Sequence, residues 1–513
     1  MCKNILKKTI AIALAVLIVM ANFAVVFADT PYQGYTYNFW GDLVPSPAAY
    51  VPVRNFGLAD LRCGEDCGLH TGVACELEKH DLGDLNDPTD MHVDSQNNIY
   101  IVDWGNNRII VFDIELNLIR VIDGYYRDGV WVEDAFNRPH GIFVTNDMQI
   151  YIADNLNHRV AILEIIDDEV FFVREITAPD VDELTDDFVF LPQHVLVDRG
   201  GRVFVIVQRV FEGIMSFNAD GEFLGYFGTI TIRFNPIDML WRFIMSDTQI
   251  ERQTRFIPRE FQSMDIDEYG FVFTTHVENW HLNNQVMRLN PRGEDVLVNL
   301  IEQVVINGDQ RWREVGPLSG PSVLIDVIAR SHGMYSALCA TRGRIYTYDS
   351  EGNLLYVFGG TGSLQGMTRR VVSIEIIGDD ILLLDAQGRG RIIHYEPTHY
   401  GHLINTAIEM RYDGFERYAV DYWRQLTEID ENFGLAWSGI GRSHLAAGDN
   451  VSAMYYLRRG MDVRYYSVAF RRNRIDVMQD ILPNILTGGM LIIALYSGFK
   501  IYRKVKGRGA YAE

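Results

Sequence analysis

One short phrase returns six times along this chain, and it decides what the chain can fold into. Its clearest copy is Pro88-Thr89-Asp90-Met91-His92-Val93-Asp94, then Asn98-Ile99-Tyr100-Ile101-Val102-Asp103, then Asn107-Arg108-Ile109-Ile110-Val111-Phe112. Apolar residues alternate within each part, and polar turn residues separate the parts, so each copy reads as one small antiparallel sheet. Such a sheet cannot bury both faces alone. Copies stacked around an axis can, which predicts a mainly β, six-bladed β-propeller.

The second copy contains Arg138-Pro139-His140-Gly141, Ile150-Tyr151-Ile152-Ala153-Asp154 and Asn157-His158-Arg159-Val160. The third begins at Leu191-Pro192-Gln193-His194 and the fourth at Phe261-Gln262-Ser263-Met264. The fifth is degenerate at its start, near Ser322 to Ile328, and the sixth begins at Val372-Ser373-Ile374-Glu375. These copies resemble NHL repeats, and the polar triplets Asp103/Asn107/Arg108 and Asp154/Asn157/Arg159 carry the resemblance most specifically. Short polar side chains bond turn backbone, so the triplets read as structural, with the arginines tying neighbouring turns. The run Tyr50-Val51-Pro52-Val53-Arg54-Asn55-Phe56 reads as a lone strand that completes the sixth blade and closes the ring. Two insertions, 229–259 and 299–320, interrupt the blade spacing.

The ends predict topology. A basic start and an apolar run from Thr9 to Phe27, ending Val26-Phe27-Ala28, read as a signal peptide. Residues 481–499 are almost wholly apolar, long enough to span a bilayer, and followed by Lys500, Arg503, Lys504, Lys506 and Arg508. Cationic flanks stay cytoplasmic, so the body before the span is expected outside and the tail inside. The net charge of −22 argues against nucleic acid, whose phosphates it would repel.

Between propeller and span the hydrophobic period becomes helical. Ala436-Trp437, Ile440-Gly441, His444, Gly448, Ala453-Met454, Tyr456-Leu457 and Gly460 are similar to tetratricopeptide (TPR) helices. The expected organisation is a signal peptide (1–28) and an N-terminal segment with the closing strand and a cysteine-containing stretch (29–86). The propeller (87–400), the TPR-like segment (401–480), a transmembrane helix (481–502) and a cytoplasmic tail (503–513) follow.

Candidate chemistry centres on the axis. Innermost strands line the channel of a propeller, so His140, His194 and Asp90 are the candidate ligand-binding residues. His92 sits two places further along but faces the same way as Asp90. The peptide-amidating lyases, whose propellers this resembles, hold a metal with channel histidines. Catalytic zinc needs about three protein ligands and an open position. Two clear histidines, with Asp90, Glu260, Asp265 and Glu375 at irregular spacing, lead to an expectation of no metal and no cofactor. Cys63, Cys67 and Cys75 lie close in sequence; a disulfide, free thiols and a metal site all remain open. Trp104, Trp131, Trp241 and Trp280 are candidates for stacking sugar rings. No Gly-rich phosphate loop, nucleophile elbow or Ser/His/Asp signature is present.

The whole layout resembles surface proteins of Gram-positive bacteria that accompany carbohydrate ABC transporters. The resemblance implies a non-catalytic extracytoplasmic binding or scaffold protein, with a multi-pass transporter and carbohydrate as partners. The alternative is a metal-dependent lyase or lactonase-like enzyme at the axis.

Overall fold

The computed structural model describes residues 30–63, 82–181, 184, 188–228, 260–276, 285–297, 307–312, 316 and 319–509, with side chains as far as 504. The expected signal peptide, the 229–259 insertion, most of the 299–320 insertion, Cys67, Cys75, Trp241 and Trp280 lie outside the described residues, as does the end of the tail from 510.

Six sheets form the blades of a β-propeller. Their innermost strands are Asp90–Val93, Pro139–Val144, Pro192–Val197, Phe261–Ile266, Leu324–Ala329 and Val371–Ile377. The second strands are buried on both faces, and Ile99–Asp103 and Val203–Val207 are accordingly almost wholly apolar, because each is sandwiched between neighbouring blades. Between the blades lie discrete apolar clusters: Met91, Ile101 and Ile110 pack on Leu382, Leu384 and Ile392 across the junction of blades six and one.

Closure occurs where the N-terminal segment meets the end of the ring. The strand Tyr50–Phe56 pairs antiparallel with Arg391–Pro397 and becomes the outer strand of blade six. The N-terminal segment contributes more than this strand. A hairpin of Tyr35–Tyr37 and Leu43–Pro45 extends blade five, and Arg62–Cys63 lies parallel to the outer strand of blade one. A boundary at 87 therefore cuts through three blades, because chain order does not reveal which distant edge a short strand joins. A second hairpin, Tyr125–Arg127 with Val130–Val132, widens blade two and carries Trp131.

The repeated Asp-Asn-Arg signature is a clamp. Asp103 accepts from the Asn86 amide, the Asn106 side chain and Arg108 Nε. Asp154 accepts in the same way from Asn137, Asn157 and Arg159. Asn106, not Asn107, is thus the counterpart of Asn157. Asn107 takes the left-handed position (φ 55°), which His158 occupies in blade two, and its side-chain oxygen accepts from the Arg138 amide of the next blade. The two positions are adjacent and both carry Asn in blade one, which conceals the register in the sequence. Blade six repeats the clamp with Asp385 and Arg391.

Five helices follow: α1 (His399–Tyr412), α2 (Val420–Ile429), α3 (Gly434–Ala447), α4 (Asn450–Arg459) and α5 (Val463–Gly509). They share a core with blades five and six: Tyr400, Leu403, Trp423 and Ile440 join one cluster with Leu338, Leu355 and Ile393. Arg411 pairs with Asp349 and Glu351, and Arg442 bridges Glu351 to Asp462 at the entry to α5. Tyr412 packs on Tyr269 and His332, both in turns that follow innermost strands. The helical layer therefore covers the face where those strands end. Its last helix contains the one candidate span among the described residues, Val463–Lys504, with its apolar window unburied.

The clamp makes a testable claim about stability. Asp154→Ala should strand the largely buried Arg159 guanidinium and the Asn137 amide, at a cost of about 3–5 kcal/mol. Urea denaturation should show that loss, whereas Asp42→Ala, in a pair with Arg311 that is exposed on both sides, should stay close to wild type.

Candidate functional site

The axis is built in three tiers, and a β-bulge generates them. In blades two to six the pairing of the innermost strand slips after its first paired residue, at His140, Gln193, Gln262, Ile325 and Val372. A bulge re-aims the extra residue. These five residues, with Thr89 of blade one, line an open vestibule of about 510 Å³. The next residue in each blade forms a ring below: Asp90, Gly141, His194, Ser263, Asp326 and Ser373. Two residues further on, His92, Phe143, Asp265, Ile328 and Glu375 line the narrow channel.

His140 and His194 are consequently not equivalent. His140 is a bulge residue in the vestibule, and His194 sits one step deeper beside Asp90, with Nδ1 3.7 Å from Oδ2. Their rings are 5.9 Å apart. Gly141 fills the intervening ring position because a Cβ there would meet the Gln193 carbonyl at 2.3 Å. Burial and the neighbouring His194 push His140 down to about 4, so it is neutral near pH 7. Burial also lowers His194, against the pull of Asp326.

The channel gathers acids that the sequence scatters. Asp90, Asp265 and Glu375 meet there, and so does Asp326, which the worn fifth repeat hides. Glu260 does not join them; its Oε1 accepts from the Arg209 amide. The acids are interblade clasps. Asp90 accepts from Ile142 at 3.0 Å, Asp265 from Ala329 at 2.7 Å and Asp326 from Ile374 at 2.7 Å, each on the next innermost strand. Glu375 pairs with His92 at 3.1 Å. Burial pushes all three aspartates up to about 7, reinforced by Glu375 for Asp90 and Asp265 and by Asp90 for Asp326. Burial opposes the charge on His92, but Glu375, Asp265 and Asp90 outweigh it and raise its pKa.

What can this arrangement hold? The ring cavity is only about 30 Å³, space for a water or two and not for an organic substrate. Nor do its acids and histidines bring three donor atoms within 4.8 Å of one another; among the described residues only Asp380, His394 and Glu396 do so. The vestibule is of ligand size. Its wall includes Trp104, Asn155, Gln193, Gln208, Gln262 and Arg370. Asp87 neutralises Arg370 at 2.6 Å. The Arg138 guanidinium lies 3.9 Å over the Trp104 ring. Cys63 ends a rim strand far in sequence from these residues, and Cys339 is a buried free thiol in blade five.

These features define a six-bladed β-propeller with a polar axial vestibule. Its first two blades are NHL repeats: the family model described as "NHL repeat" matches residues 85–112 and 136–163. No curated protein matches the chain. Among solved structures, it is similar to virginiamycin B lyase from Staphylococcus aureus at 10% identity, covering 67% of this chain and 99% of the lyase, with a TM-score of 0.39. A protein of unknown function from Bacteroides thetaiotaomicron is similar at 11% identity, 69% and 80% coverage and a TM-score of 0.40. One from Bacteroides caccae is similar at 9% identity, 53% and 80% coverage and a TM-score of 0.31. At these values the likenesses carry no inference about ligand or chemistry.

The axial acids give a pH signature with a definite sign. Their folded-state pKa values are raised above the unfolded value of 3.8 to about 7. Their stabilising contribution is therefore complete below about pH 4 and lost as pH rises through about 7. Denaturation should show lower stability at about pH 8 than at about pH 5. Glu375→Gln, which removes the charge raising Asp90, Asp265 and His92, should narrow that difference. An unchanged difference in the variant would show that the Glu375 charge contributes nothing to it beyond burial.

Proposed function

We propose that this chain is a membrane-anchored, extracytoplasmic, non-catalytic binding module that takes a carbohydrate in the vestibule and docks a multi-pass membrane protein, such as a transporter, through its helical layer. The vestibule carries the reading. The side-chain amides of Gln193, Gln208 and Gln262 have no hydrogen-bond partner among the described residues, and they converge on one cavity with Trp104 and the neutral imidazole of His140. Planar amides offer a donor and an acceptor side by side, which suits vicinal hydroxyl groups. An aromatic wall suits the apolar face of a sugar ring. The single Asp87–Arg370 pair leaves the wall without net charge, so a neutral ligand fits better than an anion.

Two further facts favour binding over catalysis at the axis. The small ring cavity excludes substrate from the acids, and those acids are occupied in holding neighbouring strands. The layout also suits an anchor. The vestibule lies where the innermost strands begin, whereas α5 leaves from the helical layer where they end, so a ligand site would face away from the bilayer.

A glycan array probed with the full-length protein in nanodiscs should yield a neutral oligosaccharide ligand. Trp104→Ala and Gln193→Ala/Gln262→Ala should each weaken that ligand at least tenfold while the melting temperature holds. An array without hits, or hits indifferent to these variants, would dispose of the carbohydrate reading.

The topology and the partner are tested in cells. External protease should digest the propeller and spare an epitope fused after Glu513. Cross-linking should recover a multi-pass membrane protein through the helical layer. Arg458→Ala/Arg459→Ala, on an exposed turn of α4, should reduce the yield. A protected propeller would reverse the orientation and with it the proposal.

A further inference from the structure

We propose that Asp380, His394 and Glu396 form a divalent-cation site, best matched to Zn²⁺, that fastens the blade where the ring closes. The inference stands apart from the vestibule and does not depend on what the vestibule binds.

Strand geometry creates the convergence. His394 and Glu396 are two residues apart on Arg391–Pro397, so their side chains share one face. Asp380 opens the neighbouring strand Asp380–Asp385, in which Ile381 pairs with Tyr395. That register sets Asp380 opposite Glu396, on the same face. One imidazole and two carboxylates thus meet with their donor atoms all within 4.8 Å of one another, and His394 Nε2 lies 2.8 Å from Asp380 Oδ2. No other set of three such groups meets this condition among the described residues.

The chemistry of the donors points to the ion. Zn²⁺ accepts imidazole nitrogen and carboxylate oxygen at about 2.0–2.2 Å, with water completing a tetrahedron. Tetrahedral donors at that bond length stand about 3.4 Å apart, so the His394–Asp380 pair need open by only about half an ångström. His394 is buried, which fixes its ring, while Glu396 is exposed and leaves a route for the ion and its water. Calcium is a poorer match, because it prefers six to eight oxygen ligands.

Arg54 faces His394 from the closing strand, but its guanidinium donates to the Ile114 carbonyl at 2.8 Å and lies 5.1 Å from the Phe56 ring. Asp379 adds a nearby carboxylate, 3.9 Å from His402 of α1. Acids thus outnumber the one fixed cation. A metal here would join the second and third strands of blade six beside Tyr50–Phe56, two residues before Thr398 caps α1. It would therefore brace both the closure and the base of the helical layer.

The test uses metal-stripped full-length protein in detergent. Zn²⁺ titration followed by calorimetry should find one saturable site per chain, and the melting temperature should rise with zinc concentration. Glu396→Gln, at an exposed position, should weaken binding at least tenfold, and His394→Gln should do the same. With Co²⁺ in place of Zn²⁺, the difference spectrum between wild type and Glu396→Gln should lack a thiolate charge-transfer band, which separates this site from Cys63 and its neighbours. No saturable site, or isotherms for both variants that superpose on wild type, would overturn the assignment.

Discussion

The pairing of Tyr50–Phe56 with Arg391–Pro397 is the interaction on which the rest depends. A ring of blades is complete only when its last blade has its outer strand, and here that strand comes from the N-terminal segment. Its side chains do more than satisfy a sheet edge. Tyr50 is fully buried, stacks on Phe358 and accepts a hydrogen bond from Arg330, while Asn405 of α1 donates to the same hydroxyl. One residue therefore links the closing strand, blade five and the helical layer. Removing the strand would open the ring and undercut the helices together.

The axis is held by a second device of a different kind. Carboxylates buried between innermost strands accept backbone amides from the next blade, so strand spacing around the axis is set by hydrogen bonds to ionisable groups. Such groups are costly to bury as charges, and their raised pKa values follow from that cost. The arrangement explains how a propeller can line its axis with acids and still leave no room for a substrate among them. The ligand-sized space lies further out, among the bulge residues of the vestibule, which differ from blade to blade.

The helical layer gives the molecule a direction. It shares its core with blades five and six, and the Arg411–Glu351–Arg442 network ties it to the turns of blade five. Because it occupies the face opposite the vestibule, the long final helix and the ligand-sized cavity lie at opposite ends of the body.

The sequence by itself determined the number of blades, the location of the closing strand, the change to helices and the long apolar helix. Each of these is written in local periodicity, which a packed core cannot do without. It also singled out His140, His194 and Asp90, since innermost strands must face the axis. Only the tertiary structure decided their tiers. A one-residue bulge separates His140 from His194, and a bulge depends on pairing with a partner strand that local pattern does not reveal. Asp326 was hidden because its repeat is worn, and its role exists only once Ile374 of the next blade is beside it. Asn106 and Asn107 were interchangeable in sequence and are distinct in space, since one holds Asp103 and the other reaches blade two. The Asp380–His394–Glu396 convergence likewise arises from cross-strand register, which brings together residues that no spacing along the chain would have joined.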